Sequence, residues 1–521
     1  MLAIYTFFVL GSLWLRGQQM SYWGLFNPDE AELIFSARLA RYSPTPFSTW
    51  TTGTTGPYWT YFLVGLNALG APMTLAFAHL VAAALTGVAA AALFTIMSRA
   101  MDRRWAALFV ICWWFPFAII FPIGDTWDFG SLGTEYLPMT LMVLSALVSR
   151  EQLTLRPWLF AVVGMFAGLA IGSKFQVAPV AIALLLAQLV VINPTALRSI
   201  QYTAWWLFGI AIPITAIVAT VWKSTATNWV LVEQTLSFLH SYGGSKEASL
   251  TDKLVKAGSA LIAPRLSLYL LLLASIIGYL ARRSDRRTNV ARIVLITGGL
   301  LAVLIGGHGF PHYLILLFGA IGLAASLPVR SRSSMISEQA RVTRLLKLAT
   351  LAVTLTSIVG LIAGLWLPLP PYMAAAVLSP KSVDNNPIMD KHCPSGSPAM
   401  IWGWAPEFAI AQNWTSTIPY PNALGIAISK ENQKSAEPIL RQGIESALCV
   451  LEATNFAREG CPPTAKRSLH PIVYCLPPTV TLANMYPHLW DMVTREFRPV
   501  KVTKGCDGCL FYVRSTGKKP S

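Results

Sequence analysis

Acidic side chains gather near the start of the chain, in Asn27-Pro28-Asp29-Glu30-Ala31-Glu32. An Asn-Pro pair or an Asp caps a helix well, and the first turn of such a helix would hold Asp29, Glu30 and Glu32. Carboxylates there complement the helix dipole, and the same groups are the type that takes a proton from a hydroxyl. Asp125 and Asp128 follow in a second polar connection, and Glu135 opens the helix after it. Cations occur at the same level. Lys174 lies in Gly172-Ser173-Lys174-Phe175-Gln176, the tip of an otherwise apolar hairpin. It either snorkels to an interface or meets an anion. His308 and His312 occupy the turn Gly306-Gly307-His308-Gly309-Phe310-Pro311-His312-Tyr313, and Arg265 opens a helix at that level. A single His in such a place is commonly a satisfied core residue, whereas two at one face suggest a site, with His312 the stronger of the pair.

The elements that carry these residues are apolar. Of 521 residues, 54% are hydrophobic and 12% charged, and the mean hydropathy is +0.53. A soluble domain carries about a quarter charged residues, so the surplus apolar surface needs lipid. Stretches long enough to span a bilayer, about 20 residues each, recur from Met1 to Leu367. They give about eleven helices, near 1–15, 73–97, 105–122, 133–148, 157–172, 177–193, 204–222, 265–281, 292–306, 312–328 and 347–367. The first has neither a basic flank nor a small-residue cleavage site and reads as a retained helix. The net charge of +16 falls in alternate connections, as at Arg103 and Arg104, Arg282 to Arg292, and Arg330 to Lys347. That spread argues against a nucleic-acid face, and the positive-inside rule places these loops and the N-terminus in the cytoplasm. Of the opposite connections, Arg16 to Pro72 is the longest. It contains two helix-like segments suited to the interface, Asp29 to Tyr42 and the aromatic Gly56 to Leu69. Ser224 to Pro264 is a third, with mixed charge.

Composition shifts after Leu367, which divides the chain into a membrane domain, 1–367, and a C-terminal domain, 368–521. The latter reads as a small α/β unit. Its expected elements are a strand near Ala399 to Gly403, helices at Ala405 to Asn413 and Asn432 to Glu452, a strand at Pro471 to Cys475, a helix at Thr479 to Phe497, and a closing pair before Arg514. It holds six of the seven cysteines: Cys393, Cys449, Cys461, Cys475, Cys506 and Cys509. An odd helix count puts it outside the cytoplasm, where disulfides persist. Cys506 and Cys509 have a zinc-like spacing, but no second pair accompanies them, so disulfides of open connectivity are expected.

The order of these features resembles the GT-C superfamily of glycosyltransferases, especially the bacterial branch similar to protein mannosyltransferases and lipid A aminoarabinose transferases. The matching pieces are Asn27 to Glu32, Gly133-Thr134-Glu135-Tyr136-Leu137-Pro138, Gly168 to Lys174, Phe310-Pro311-His312-Tyr313, and Ile401-Trp402-Gly403-Trp404-Ala405-Pro406-Glu407. The resemblance implies a helical polytopic membrane protein with a small periplasmic or extracellular α/β domain. It also implies transfer of a sugar from a polyprenyl-phosphate donor to a glycan or lipid acceptor at the outer face of a bacterial inner membrane. Asp29 then takes the acceptor proton, with Glu30 beside it. Lys174, His312, Arg265 and His308 receive the leaving phosphate, so no general acid is required. Asp125, Asp128 and Glu135 hold sugar or acceptor hydroxyls. A single displacement inverts the anomeric centre. No cofactor is expected, although some relatives hold a divalent cation with such acids. The chain departs from the aminoarabinose-transferase pattern at Thr51 to Pro57, which stands in place of a Lys-Pro element.

A transporter or flippase for lipid-linked sugars is the competing reading. Such a protein puts ionisable groups at the middle of several spans, and these spans are nearly free of them.

Overall fold

A computed structural model describes residues 2–16, 27–48, 50–53, 55–120, 129–222, 226–243, 264–282, 284–305, 310–328, 386–403, 405–420, 430–453, 481–502 and 509–515, with isolated positions 251, 254, 255, 423 and 426. The chain forms two compact units, the first of residues 1–22, 79–216 and 246–377, the second of residues 23–78, 217–245 and 378–521.

The chain is a membrane protein, mostly helical. Four helices are long and apolar enough to cross a bilayer: Leu75–Ala100, Phe175–Ile192, Ala196–Trp222 and Arg286–Ile305. Shorter apolar helices include Leu2–Leu15, Tyr136–Ser145, Leu159–Ser173 and Pro311–Ala325. The expected count of about eleven is therefore not reached by length and composition among the described residues, and the expected helix at 347–367 lies outside them. Helices here stop short where the sequence carries a turn. Asn193 adopts a left-handed conformation (φ 52°) and closes Ala178–Ile192, a conformation that Asn tolerates better than most residues.

In the first unit, small residues let helices approach closely, as lipid-exposed packing requires. A side-chain carbon at Gly87 would lie 2.6 Å from the Val9 backbone, and one at Gly168 would lie 2.6 Å from Pro213. Indole donors tie further helices together. Trp114 Nε1 donates to Ser12 Oγ at 2.8 Å and Trp113 Nε1 to the Phe318 carbonyl at 2.9 Å. Each bond satisfies a buried N–H that has no water to turn to. Along Ala196–Trp222 the large apolar side chains Leu207, Phe208, Ile212, Val218 and Trp222 stay exposed, as a lipid-facing stripe would.

The second unit is built on a five-stranded sheet of order β2-β1-β3-β5-β4. The strands are β1 (Pro398–Gly403), β2 (Thr415–Ser416), β3 (Cys449–Ala453), β4 (Phe497–Val500) and β5 (Leu510–Arg514). β1 runs parallel to β2 and β3, while β5 runs antiparallel to β3 and β4. Alternate residues serve two cores, as the two-residue pleat dictates. Met400, Trp402, Val450 and Tyr512 face Leu440, Ile444, Leu489 and Val493, from the helices Lys430–Ser446 and Pro487–Glu496. Ala399, Ile401, Cys449, Leu451, Phe511 and Val513 face Phe35, Leu39, Ala40 and Trp50. The helix Pro28–Ala40 thus covers one face of the sheet, so its apolar side meets protein and is not left for the interface.

Two expectations for this unit are corrected. Cys449–Ala453 is a strand and not the end of a helix. Both its faces are buried, so the segment lacks the alternation that marks a half-exposed strand. Residues 226–243, expected within a loop, form a helix docked on the C-terminal part. Leu231 joins the core, and Gln234 bonds Ser435 Oγ at 2.6 Å and accepts from Tyr420 OH at 2.8 Å. The expected strand near Pro471 to Cys475 lies outside the described residues.

Cys393 and Cys449 form a disulfide across 56 residues, with Cα atoms 6.2 Å apart, and Cys509 is also disulfide-bonded. Cys112, buried in the helix Arg103–Phe115, is a free thiol. Closing a loop of that length removes chain entropy from the unfolded state equivalent to about 4 kcal/mol. Dithiothreitol is expected to lower the melting temperature of the wild type, and a Cys393→Ser, Cys449→Ser variant should start lower and respond less. Equal reductant sensitivity in both would show that this bond adds nothing.

Candidate active site

The acidic helix start forms as a capping box. Asn27 stands in extended conformation, its Oδ1 accepts the Asp29 backbone N–H at 2.9 Å, and its own N–H donates to Glu30 Oε1 at 3.4 Å. Pro28 at the first helical position suits the fixed φ of the ring. These bonds divide the two acids. Glu30 is fully buried and turned back to the cap, whereas Asp29 is half-buried and joins the cap through its backbone N–H. Of the two, Asp29 has the accessibility a proton acceptor needs.

The second unit holds this helix firmly. Arg38 donates from all three guanidinium nitrogens, to the Met73 carbonyl (2.8 and 3.2 Å) and to the Ala409 and Ile410 carbonyls (3.3 and 3.1 Å). Burial, aided by the like charge of Arg41, pulls its pKa down to about 10, so the clamp stays cationic at neutral pH. Ser36 Oγ donates to the Thr51 carbonyl at 2.9 Å, and Thr51 N–H donates to the Pro419 carbonyl at 3.0 Å. Asp29 therefore rides on an element fixed to the sheet through Trp50, Thr51 and the short helix Glu407–Ala411.

In the first unit, polar residues at four helix termini meet. Glu135 caps Tyr136–Ser145, Lys174 ends Leu159–Ser173, Arg16 follows Leu2–Leu15, and His312 lies in the turn that opens Leu314–Ala325. Lys174 Nζ donates to Glu135 Oε1 and Thr134 Oγ1 and sits 5.0 Å above the Tyr313 ring. Thr134 Oγ1 donates to the same carboxylate oxygen at 3.1 Å. His312 stacks on Phe310, ring centroids 5.2 Å apart, and meets Tyr313 edge-on at 4.7 Å. Arg16 Nη2 donates to the Phe117 carbonyl at 2.6 Å and to Tyr136 OH at 3.2 Å, and Tyr136 OH donates to the Phe129 carbonyl at 2.8 Å. All of these groups are nearly inaccessible, with Glu135 at 0%, Lys174 and Arg16 at 2% and His312 at 5% exposure.

The structure thus brings together Lys174, Glu135 and His312 of the residues expected from sequence. It describes Asp29 and Glu30 separately, in the other unit. Asp125, Asp128 and His308 lie outside the described residues, as does the side chain of Arg265. Among the described residues no group of three or more His, Cys, Asp or Glu is gathered as metal ligands. Arg16 was not expected. A basic residue directly after a membrane helix looks like an ordinary flank, and the only signal against that was its isolation from the other Arg and Lys clusters.

No protein-family model matches the chain, and no curated protein matches its sequence. Among solved structures the chain is similar to the archaeal oligosaccharyltransferase AglB from Archaeoglobus fulgidus, determined with an inhibitory peptide and a dolichol-phosphate. The identity is 11%, the likeness covers 87% of this chain and 69% of that one, and the TM-score is 0.41. Likeness at that level assigns neither substrate nor residue roles.

Proposed function

We propose that this chain is a glycosyltransferase of the bacterial inner membrane that takes its sugar from a polyprenyl-phosphate donor and adds it to a cell-envelope glycan or lipid. The observation that carries the reading is the placement of the ionisable groups. Arg16, Glu135, Lys174 and His312 sit at helix termini; Lys174 bonds Glu135 and Thr134 and lies over the Tyr313 ring that His312 packs against, and Arg16 bonds the hydroxyl of Tyr136, the residue after Glu135. A polyprenyl chain dissolves only in lipid, so its phosphate and sugar wait at headgroup level, where helices end. A transporter for the same lipid needs ionisable groups along its spans.

The reaction balances without a cofactor. The acceptor oxygen attacks the anomeric carbon as Asp29 takes its proton, and the carbon–oxygen bond to phosphate breaks with both electrons leaving on the phosphate. Lys174, His312, Arg265 and His308 stabilise the departing charge, so no acid need protonate it. One displacement inverts the centre. Glu135, Asp125 and Asp128 would orient hydroxyls of sugar or acceptor. The C-terminal domain lies outside the cytoplasm in this reading, and the N-terminus inside.

The test is reconstitution in proteoliposomes with a panel of labelled polyprenyl-phosphate sugars and envelope lipids or glycans. The expected result is label transferred to an acceptor with release of polyprenyl phosphate. Movement of intact donor between leaflets, with no new glycosidic bond, would instead establish the flippase.

A further inference from the structure

The helix Arg103–Phe115 ends at Pro116, whose ring nitrogen has no hydrogen to donate, and the chain widens there into a π-turn, Pro116–Ile120. A buried carbonyl needs a donor, and that of Phe117 takes one from Arg16 Nη2 at 2.6 Å. The same nitrogen donates its other hydrogen to Tyr136 OH at 3.2 Å, and Tyr136 OH donates to the Phe129 carbonyl at 2.8 Å. One hydrogen-bonded chain therefore joins Phe117, Arg16, Tyr136 and Phe129. The rings of Phe117 and Phe129 also meet edge-on, their centroids 6.3 Å apart.

The segment that this chain closes is the one that holds Lys174. Phe129 to Tyr136 is buried throughout, and it is turned by the Gly133 N–H on the Ser131 carbonyl (3.0 Å) and the Tyr136 N–H on the Gly133 carbonyl (3.2 Å). Thr134 and Glu135, which both accept from Lys174 Nζ, lie inside it. The Tyr136 hydroxyl reaches back across the segment to its first residue, and Arg16 ties that hydroxyl to the π-turn. Nε and Nη1 of Arg16 have no acceptor among the described residues, so its charge serves the two Nη2 bonds. Bonds from a charged donor are about twice as strong as neutral ones, and a misplacement of about 1 Å at a reacting site can cost about a hundredfold in rate.

We propose that Arg16 is a positioning residue, which through the Tyr136 hydroxyl clamps the segment Phe129 to Glu135 and so fixes where the Glu135 carboxylate and its partner Lys174 stand for the reaction. The reaction itself rests on the proposed function, whereas the clamp does not and is measured without turnover.

Tyr136→Phe removes the hydroxyl and keeps the ring. Hydrogen exchange of the purified full chain in detergent reads the clamp: peptides covering residues 129–135 are expected to exchange at least threefold faster in the variant, with those of Arg286–Ile305 unchanged. No change, or an even rise throughout, would overturn the proposal. Sugar transfer in proteoliposomes reads the positioning. Tyr136→Phe is expected to lower transfer about tenfold in the wild type but less than twofold in a Glu135→Gln background, where the carboxylate it places is already gone. An equal factor in both backgrounds would show a merely structural role and overturn the proposal, as would a Tyr136→Phe enzyme as fast as wild type. If Glu135→Gln transfers nothing, or the wild type itself does not, the exchange measurement decides. A wild type without transfer would sink the glycosyltransferase reading and, with faster exchange at 129–135, leave the clamp standing. Should Tyr136→Phe not fold, Arg16→Met is read in the same way. It removes both Nη2 bonds, and with them a buried charge whose other donors lack acceptors among the described residues, which favours folding.

Discussion

Asp29→Asn is expected to lower sugar transfer by about two to four orders of magnitude, the usual contribution of a positioned general base, in a protein that still folds. The asymmetry follows from how the helix start is wired. The Asn27 side chain accepts from the Asp29 backbone, and Glu30 accepts from the Asn27 backbone, so the cap does not draw on the Asp29 carboxylate. Asn keeps the shape and the capping bonds, and the charge it loses at the helix start is worth about 0.3–1 kcal/mol to the dipole. Glu30→Gln is the complementary case. It removes a fully buried charge that closes the capping box, so its expected signature is a fall in stability of about 1 kcal/mol together with any loss of activity. Label transfer in proteoliposomes and thermal denaturation of the same preparations separate the two. An Asp29→Asn variant as active as wild type would reduce Asp29 to dipole complementation and leave the proton without an acceptor.

Residues 27–32 show what a sequence discloses well. Cap chemistry is local, so Asn27, Pro28 and the acids that follow could be read directly as a helix start, and the helix begins there. The position of Lys174 at a hairpin tip was legible for the same reason. Its partner was not, because Glu135 is 39 residues earlier and nothing in either segment specifies the pairing. The C-terminal sheet divides along the same line. β1 and β5 alternate between two cores and were anticipated, whereas β3 is buried on both faces and followed a helical run closely enough to be absorbed into it. The docking of Pro28–Ala40 onto the sheet through Phe35, Leu39 and Trp50 was also hidden. A short helix rich in apolar residues reads alike whether its partner is lipid or protein, and only long-range packing distinguishes the two. Arg16 was hidden for a third reason, since flanking cations are ordinary in sequence and become telling only when their donors can be counted.

The Lys174–Glu135 pair yields the largest expected effect on stability. Both side chains are out of water, and Glu135 Oε2 has no hydrogen-bond partner among the described residues. Removing one charge therefore strands the other. Lys174→Met leaves a buried carboxylate whose remaining described donor is the Thr134 hydroxyl, and Glu135→Leu leaves an ammonium above the Tyr313 ring with only that same hydroxyl. Each single change is expected to cost about 3–5 kcal/mol, as breaking buried pairs does, whereas the double replacement by apolar residues should recover most of it. The resulting coupling of a few kcal/mol would appear in a double-mutant cycle on denaturation in detergent. Additive losses below about 1 kcal/mol would mean that water reaches the pair and screens it. The cycle also bears on the chemistry. If the double variant folds and still prefers a phosphate-bearing lipid, the pair positions helix ends and the anion is held elsewhere. If that preference vanishes in a folded double variant, Lys174 itself meets the phosphate, and its bond to Glu135 must then open when the lipid arrives.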